Sequence, residues 1–222
     1  MQHLSGDSRR ATQDFDFDFI KHSLSEHSIR SFIEGLGEQT DDISISITAP
    51  LEELKHQNYN GKRVYISITD RNGTSIDTKL DIGVHNNLGI EQDYYCFDLS
   101  KLDDSVTLLI NTKEQIFAEK LKSLLRIGAL TTRFKDVYDM YWLSEHGDID
   151  KSTIRADIKS IIFDNPSMWE NNKVDVMSRL ENVFNDSFFV TSLGKSKRHN
   201  WVGIAPEQVT KAILNRIHEF LD

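Results

Sequence analysis

The run Asp14-Phe15-Asp16-Phe17-Asp18-Phe19 alternates carboxylate and aromatic without a break. Successive side chains of a β-strand point to opposite faces. As a strand, this run puts Phe15, Phe17 and Phe19 on one face and Asp14, Asp16 and Asp18 on the other. The Phe face can anchor a buried strand. Carboxylates on the Asp face then stand roughly 6–7 Å apart, from a rise of about 3.3 Å per residue. Like charges repel, and Asp is a poor strand former. A strand that keeps them has a cation to hold. Mg²⁺ is the natural one, being hard, oxygen-loving and typically bound by one or two carboxylates plus substrate phosphates. An EF-hand reading of the same run fails, because the sixth position from Asp14 is Phe19 and the twelfth is Ser25, where that loop needs Gly and Glu.

Composition narrows the setting. With 222 residues, 38% hydrophobic and 27% charged, the chain reads as a soluble globular protein of one domain or a little more. Its one cysteine, Cys96, excludes an intramolecular disulfide framework and a cysteine-based zinc site. That fits a reducing compartment, and a cytoplasmic location is expected. No apolar run approaches the ~20 residues of a membrane span, so no membrane partner is expected. The eight histidines show no HxxxH or HExxH spacing. A net charge of −9 argues against broad, non-specific nucleic-acid binding. It leaves room for a local basic groove.

Strands dominate the first half. Ile20 to Leu36 has an amphipathic pattern and reads as a helix ending near Gly35 or Gly37. Asp42–Thr48 and Arg63–Thr69 alternate with period two and read as strands. Pro50–Leu54 reads as a loop or short turn of helix. Asn72-Gly73 marks a hairpin, with Ile76–His85 as the return strand. Tyr94–Phe97 is a candidate short strand, and Val106–Ile110 reads as a buried one. Thr112, with Gln115 three residues on, opens a helix that runs to about Arg126 and ends at Gly128. Thr131 or Thr132 caps another, through Trp142 or Leu143. Ser152–Phe163, Val174–Phe184 and Pro206–Leu221 are helical. Strands first and helices after give an α+β fold, with a sheet core at 1–111 and a helical domain at 112–222.

A second isolated carboxylate, Asp81, sits between Leu80 and Ile82 on the return strand. If that strand lies beside the Asp14–Asp16 strand, three carboxylates converge. Two metal ions about 3.5–4 Å apart could then clamp an in-line phosphoryl displacement.

These residues carry a resemblance. Arg10-x-Thr12-x-Asp14-Phe15-Asp16 resembles the acidic strand of nucleotidyltransferases of the AbiEii/AbiGii toxin family. Ala118-Glu119-Lys120-Leu121 resembles that family's Ala-Glu-Lys-Leu helix. Arg133-Phe134-Lys135-Asp136-Val137-Tyr138-Asp139 resembles its Arg-Phe-Lys-Asp-x-Tyr-Asp helix. The motifs follow in the family's order from about Met1 to Leu143. The resemblance implies a mixed-sheet nucleotidyltransferase core followed by a helical C-terminal domain. It also implies Mg²⁺, a nucleoside triphosphate, an RNA acceptor such as the tRNA 3′ end, and a cognate antitoxin. By the same resemblance Asp14 and Asp16 bind metal, with Asp81 as third carboxylate or base. Lys120 contacts the triphosphate, Lys135 or Asp136 completes the site, and Arg10 and Thr12 lie on the substrate side. The family's Gly-Gly-Thr/Ser loop, whose backbone amides hold phosphate, precedes the acidic pair. Here Ser5-Gly6 stands in the wrong order and too near Asp14. The chain thus reads as beginning downstream of that loop. The alternative to an active enzyme is a truncated, inactive member that binds antitoxin or RNA.

Plainer readings stand beside these. Lys120 flanks an apolar helical stripe and could snorkel over the core. Lys135 and Asp139 have the i, i+4 spacing of a surface ion pair. Lys195-Ser196-Lys197-Arg198 is a basic loop of the kind usually left solvated. Trp142, Trp169 and Trp201 read as core or interface.

Overall fold

The computed structural model describes residues 1–10, 15–19, 23–37, 42–54, 61–84, 90, 92–99 and 104–222. In chain order these form α1 (Gln2–Ser5), β1 (Phe15–Phe19), α2 (Glu26–Gly37), β2 (Ile43–Ile47), β3 (Glu52–Leu54), β4 (Gly61–Asp70), β5 (Ser75–Val84), β6 (Gln92–Leu99) and β7 (Asp104–Asn111). Helices follow: α3 (Lys113–Ile127), α4 (Phe134–His146), α5 (Lys151–Ile158), α6 (Lys173–Asn185), α7 (Ser187–Lys195) and α8 (Pro206–Leu221). The chain divides into two compact units, Ala11–Gly89 and Met1–Arg10 with Ile90–Asp222. The fold is α+β, with a mixed sheet and C-terminal helices.

In the first unit the sheet order is β1-β5-β4-β2, with β3 also on β4. β1 runs parallel to β5, and the other pairings are antiparallel. One face is apolar because period-two alternation sends Val64, Ile66, Leu80 and Ile82 the same way. They bury against Ile29 and Ile33 of α2. Phe17 and Phe19 join this layer and meet the ring of Phe32 edge-on, at 6.5 and 5.1 Å between centroids. The Asn72-Gly73 turn forms as its sequence predicts. Gly73 takes φ +79°, a conformation that glycine adopts without a Cβ clash.

Two readings of this region need correction. Pro50–Leu54 contains the strand β3, not a helical turn, and it pairs with Gly61–Arg63. β2 and β3 lie one after the other along the same side of β4. Pro50, which has no N–H to donate, stands in the gap between them. Three residues are too few to show an alternation. The predicted α2 begins only at Glu26, where Ser25 Oγ accepts from the Ser28 N–H. Residues 20–22 lie outside the described residues.

The second unit contains the β6–β7 hairpin and the helices. The expected buried strand is β7, but Leu108 and Leu109 are 44% and 46% exposed. Its only strand partner among the described residues is β6, and their two-stranded sheet leaves these side chains open to solvent. Thr112 caps α3 as predicted, its Oγ1 accepting from the Gln115 N–H at 3.0 Å. Gly128, at φ +69°, ends it with a 3₁₀ turn over Gly128–Leu130. That turn delays α4. Thr131 accepts from the Arg133 N–H, and α4 starts at Phe134 without a side-chain cap. The 152–163 helix is α5 followed by a π-helical turn, Lys159–Phe163. Helix α7, capped by Asp186, has no counterpart in the sequence reading. The core of this unit includes Phe117, Leu121, Tyr138, Ile154, Leu180, Phe189 and Ile213, all fully buried. Each such side chain contributes about 1.5–3 kcal/mol of hydrophobic stabilisation.

Candidate active site

The predicted site residues fall into two groups, one in each unit. Thr12 and Asp14 lie outside the described residues.

In the sheet unit, the parallel pairing sets Asp16 directly opposite Asp81. Their Cα atoms are therefore separated by about one strand spacing, ~4.8 Å. The Asp81 strand thus lies beside the Asp16 strand, the adjacency that a convergence of Asp14, Asp16 and Asp81 requires. Both side chains leave the sheet on the face away from α2, because Phe17, Leu80 and Ile82 occupy the other. Asp18 is exposed at the far end of β1.

Asp81 has a partner that no sequence pattern announces. Arg63, its register partner on β4, donates Nε to Oδ1 and Nη2 to Oδ2, both at 2.7 Å. Bonding to Asp81 drives the guanidinium pKa further up from its already high value. Glu52 of β3 stands opposite Arg63 on the other side. It accepts from the Tyr65 hydroxyl at 3.1 Å. A row of charge thus crosses four strands: Asp16, Asp81, Arg63, Glu52. Arg63 was concealed because it reads as one more polar residue on an alternating strand.

The donor chemistry fits a divalent cation. Two adjacent carboxylates offer hard oxygens, and Asp81 already draws a positive charge to itself. Among the described residues, no group of three or more His, Cys, Asp or Glu side chains gathers at one point.

In the helical unit, Asp139 is the hub. It is fully buried. Arg10 grips it with Nε to Oδ1 and Nη2 to Oδ2, both at 2.6 Å. The Trp201 indole N–H donates to Oδ1 at 3.0 Å, and Lys120 Nζ lies 3.0 Å from Oδ2. Burial pushes the Asp139 carboxyl pKa up. The Arg10 hydrogen bonds and the charges of Lys120 and Arg10 outweigh that and hold it below the usual carboxylate range. Lys120 also donates to Asp136 Oδ1 at 2.5 Å, and Arg133 Nε sits 2.8 Å from Asp136 Oδ2. Lys135 lies near enough that burial, and then the Arg10 charge, lower its ammonium pKa. Arg10, Lys120, Lys135 and Arg133 thus gather around Asp136 and Asp139.

Lys120 is therefore bonded, not merely snorkelling. Asp139 faces inward to Arg10 instead of forming a surface pair with Lys135. The i, i+4 spacing suggested that pair because periodicity cannot see Arg10, which lies 129 residues away. Trp201 is buried as expected, whereas Trp169 is 89% exposed.

Phosphoryl-group chemistry works by positioning and charge neutralisation, for which carboxylates and cationic side chains are suitable groups. Residues 2–188 match the family model described as nucleotidyl transferase AbiEii toxin, type IV TA system. The chain belongs to that family. No curated protein matches it significantly.

Proposed function

We propose that this toxin is an Mg²⁺-dependent cytoplasmic enzyme that transfers a nucleotide from a nucleoside triphosphate to RNA, with the tRNA 3′ end as acceptor, and that a cognate antitoxin opposes it. The observation that carries the reading is the register of Asp16 with Asp81 on adjacent strands. Asp16 and Asp81, with Asp14, would hold the metal. Bound there, Mg²⁺ supplies charge neutralisation for the triphosphate and activation of the acceptor hydroxyl.

The remaining work falls to side chains. Lys120 and Lys135 supply positive charge for the triphosphate. Asp136 fixes the Lys120 ammonium in place through its 2.5 Å hydrogen bond. Thr12, just before the acidic strand in sequence, serves the substrate, and Arg10 serves it indirectly by holding Asp139 beside Lys120. Asp81 acts better as a charge than as a base, since both of its oxygens already accept from Arg63. Proton abstraction by Asp81 would first require the guanidinium to leave.

The test is transfer of radiolabelled nucleotides to total tRNA in the presence of Mg²⁺. Asp16→Asn and Asp81→Asn should each lower incorporation about a hundredfold or more. Label that persists in both variants overturns the reading.

A further inference from the structure

The row Asp16, Asp81, Arg63, Glu52 contains a cation of its own. Arg63 occupies both oxygens of Asp81, and its side chain keeps only 27% exposure against 14% for Asp81. A guanidinium there relieves the repulsion between two carboxylates on adjacent strands. It also competes for the same oxygens with any metal ion. On its other side Arg63 has a second carboxylate in register, the exposed Glu52. Cross-strand neighbours of this kind sit within about 4.5–5.5 Å at Cα or Cβ, inside the reach of an arginine. The Tyr65 hydroxyl holds the Glu52 carboxylate on this face.

We propose that Arg63 is a metal-responsive positioning residue: it neutralises Asp81 in the metal-free protein and passes to Glu52 when a divalent cation binds Asp16 and Asp81. The inference rests on the reading of Asp16 and Asp81 as metal ligands. Arg63 then sets the affinity and ion dependence of the site without touching substrate. Without metal the row of three carboxylates and one guanidinium carries a net charge of −2, and a divalent cation at Asp16 and Asp81 brings it to zero with Arg63 paired through Glu52.

The experiment measures Mn²⁺ affinity of the full chain by electron paramagnetic resonance at fixed ionic strength. Circular dichroism checks that each variant is folded. Arg63→Met should bind Mn²⁺ about tenfold tighter or more, because a unit positive charge beside the ion is gone. Glu52→Gln should bind several-fold more weakly, and should have a much smaller effect in the Arg63→Met background. A simple structural loss would not raise affinity. Unchanged or weaker binding by Arg63→Met, with Asp16→Asn still abolishing it, overturns the switch and leaves the metal site standing. Binding that Asp16→Asn and Asp81→Asn do not alter overturns both. Arg63→Lys, which keeps the charge, should stay near the wild-type affinity.

Discussion

Two arginine–aspartate pairs in this protein have almost the same geometry and opposite surroundings. Arg10–Asp139 and Arg63–Asp81 are both bidentate, at 2.6 and 2.7 Å. Asp139 is completely enclosed, with an indole N–H and an ammonium beside it. Asp81 keeps a solvent-facing edge and has a neighbouring carboxylate. A pair inside a core cannot be exchanged cheaply, since breaking it leaves an uncompensated buried charge. A pair at a sheet face can be, because water screens the intermediate. The same two residue types thus serve as a fastener in one unit and as an exchangeable pair in the other.

The largest expected effect tests that contrast directly. Asp139→Ala should cost about 3–5 kcal/mol of unfolding free energy by urea titration. Asp81→Asn should cost about 1 kcal/mol in the same assay. Equal losses would break the comparison. The Asp139 carboxyl pKa is depressed in the folded state. Its stabilisation is therefore present above the ordinary Asp range near pH 4 and is lost as pH falls through the depressed value. Asp139→Asn should lack that acid-side loss.

A third aspartate sharpens the point. Asp157 of α5 is 5% exposed, and among the described residues it has no arginine partner and its Oδ2 accepts no hydrogen bond. Burial, with the charges of Glu114 and Glu119, raises its pKa from 3.8 to about 6. An acid with a raised folded pKa penalises the folded state when ionised. The penalty is absent below pH 3.8, grows toward 6 and is complete above it. Asp157→Asn should therefore gain about 2–3 kcal/mol at pH 7.5 and almost nothing at pH 3, read from melting curves at the two pH values. A uniform gain at both would point to packing instead of charge.

The smallest effect concerns local structure in the helical unit. Thr112→Ala removes the cap on α3 and should cost about 1 kcal/mol in the same urea assay, with no pH dependence. A cost as large as that of Asp139→Ala would mean that the capped turn matters to the unit as much as its buried ion pair does.

Local rules account for what the sequence revealed. Alternation exposed β1, β2, β4 and β5, because a half-buried strand writes its two faces into neighbouring positions. Asn72-Gly73 and Thr112 signalled a turn and a cap within a few residues of themselves. Asp16 and Asp81 could be named individually, but their registration depends on a parallel pairing that no local pattern specifies. Arg63 and Asp139 were illegible for a related reason. Each looks like a surface residue until its partner, contributed by another element, is known. β3 misled because three residues cannot show an alternation, and β7 because burial depends on what lies over a strand, not on its own composition.

The Arg10–Asp139–Trp201 junction also orders events in time. Its members are separated by 129 and then 62 residues. On the ribosome Arg10 emerges 129 residues before its carboxylate partner exists. The indole arrives later still. Local helices can form as they appear, but this charged knot closes only once Trp201 has been made. A chain terminated between Asp139 and Trp201 would carry the acidic strand and both lysines, yet it would lack the indole that donates to Asp139.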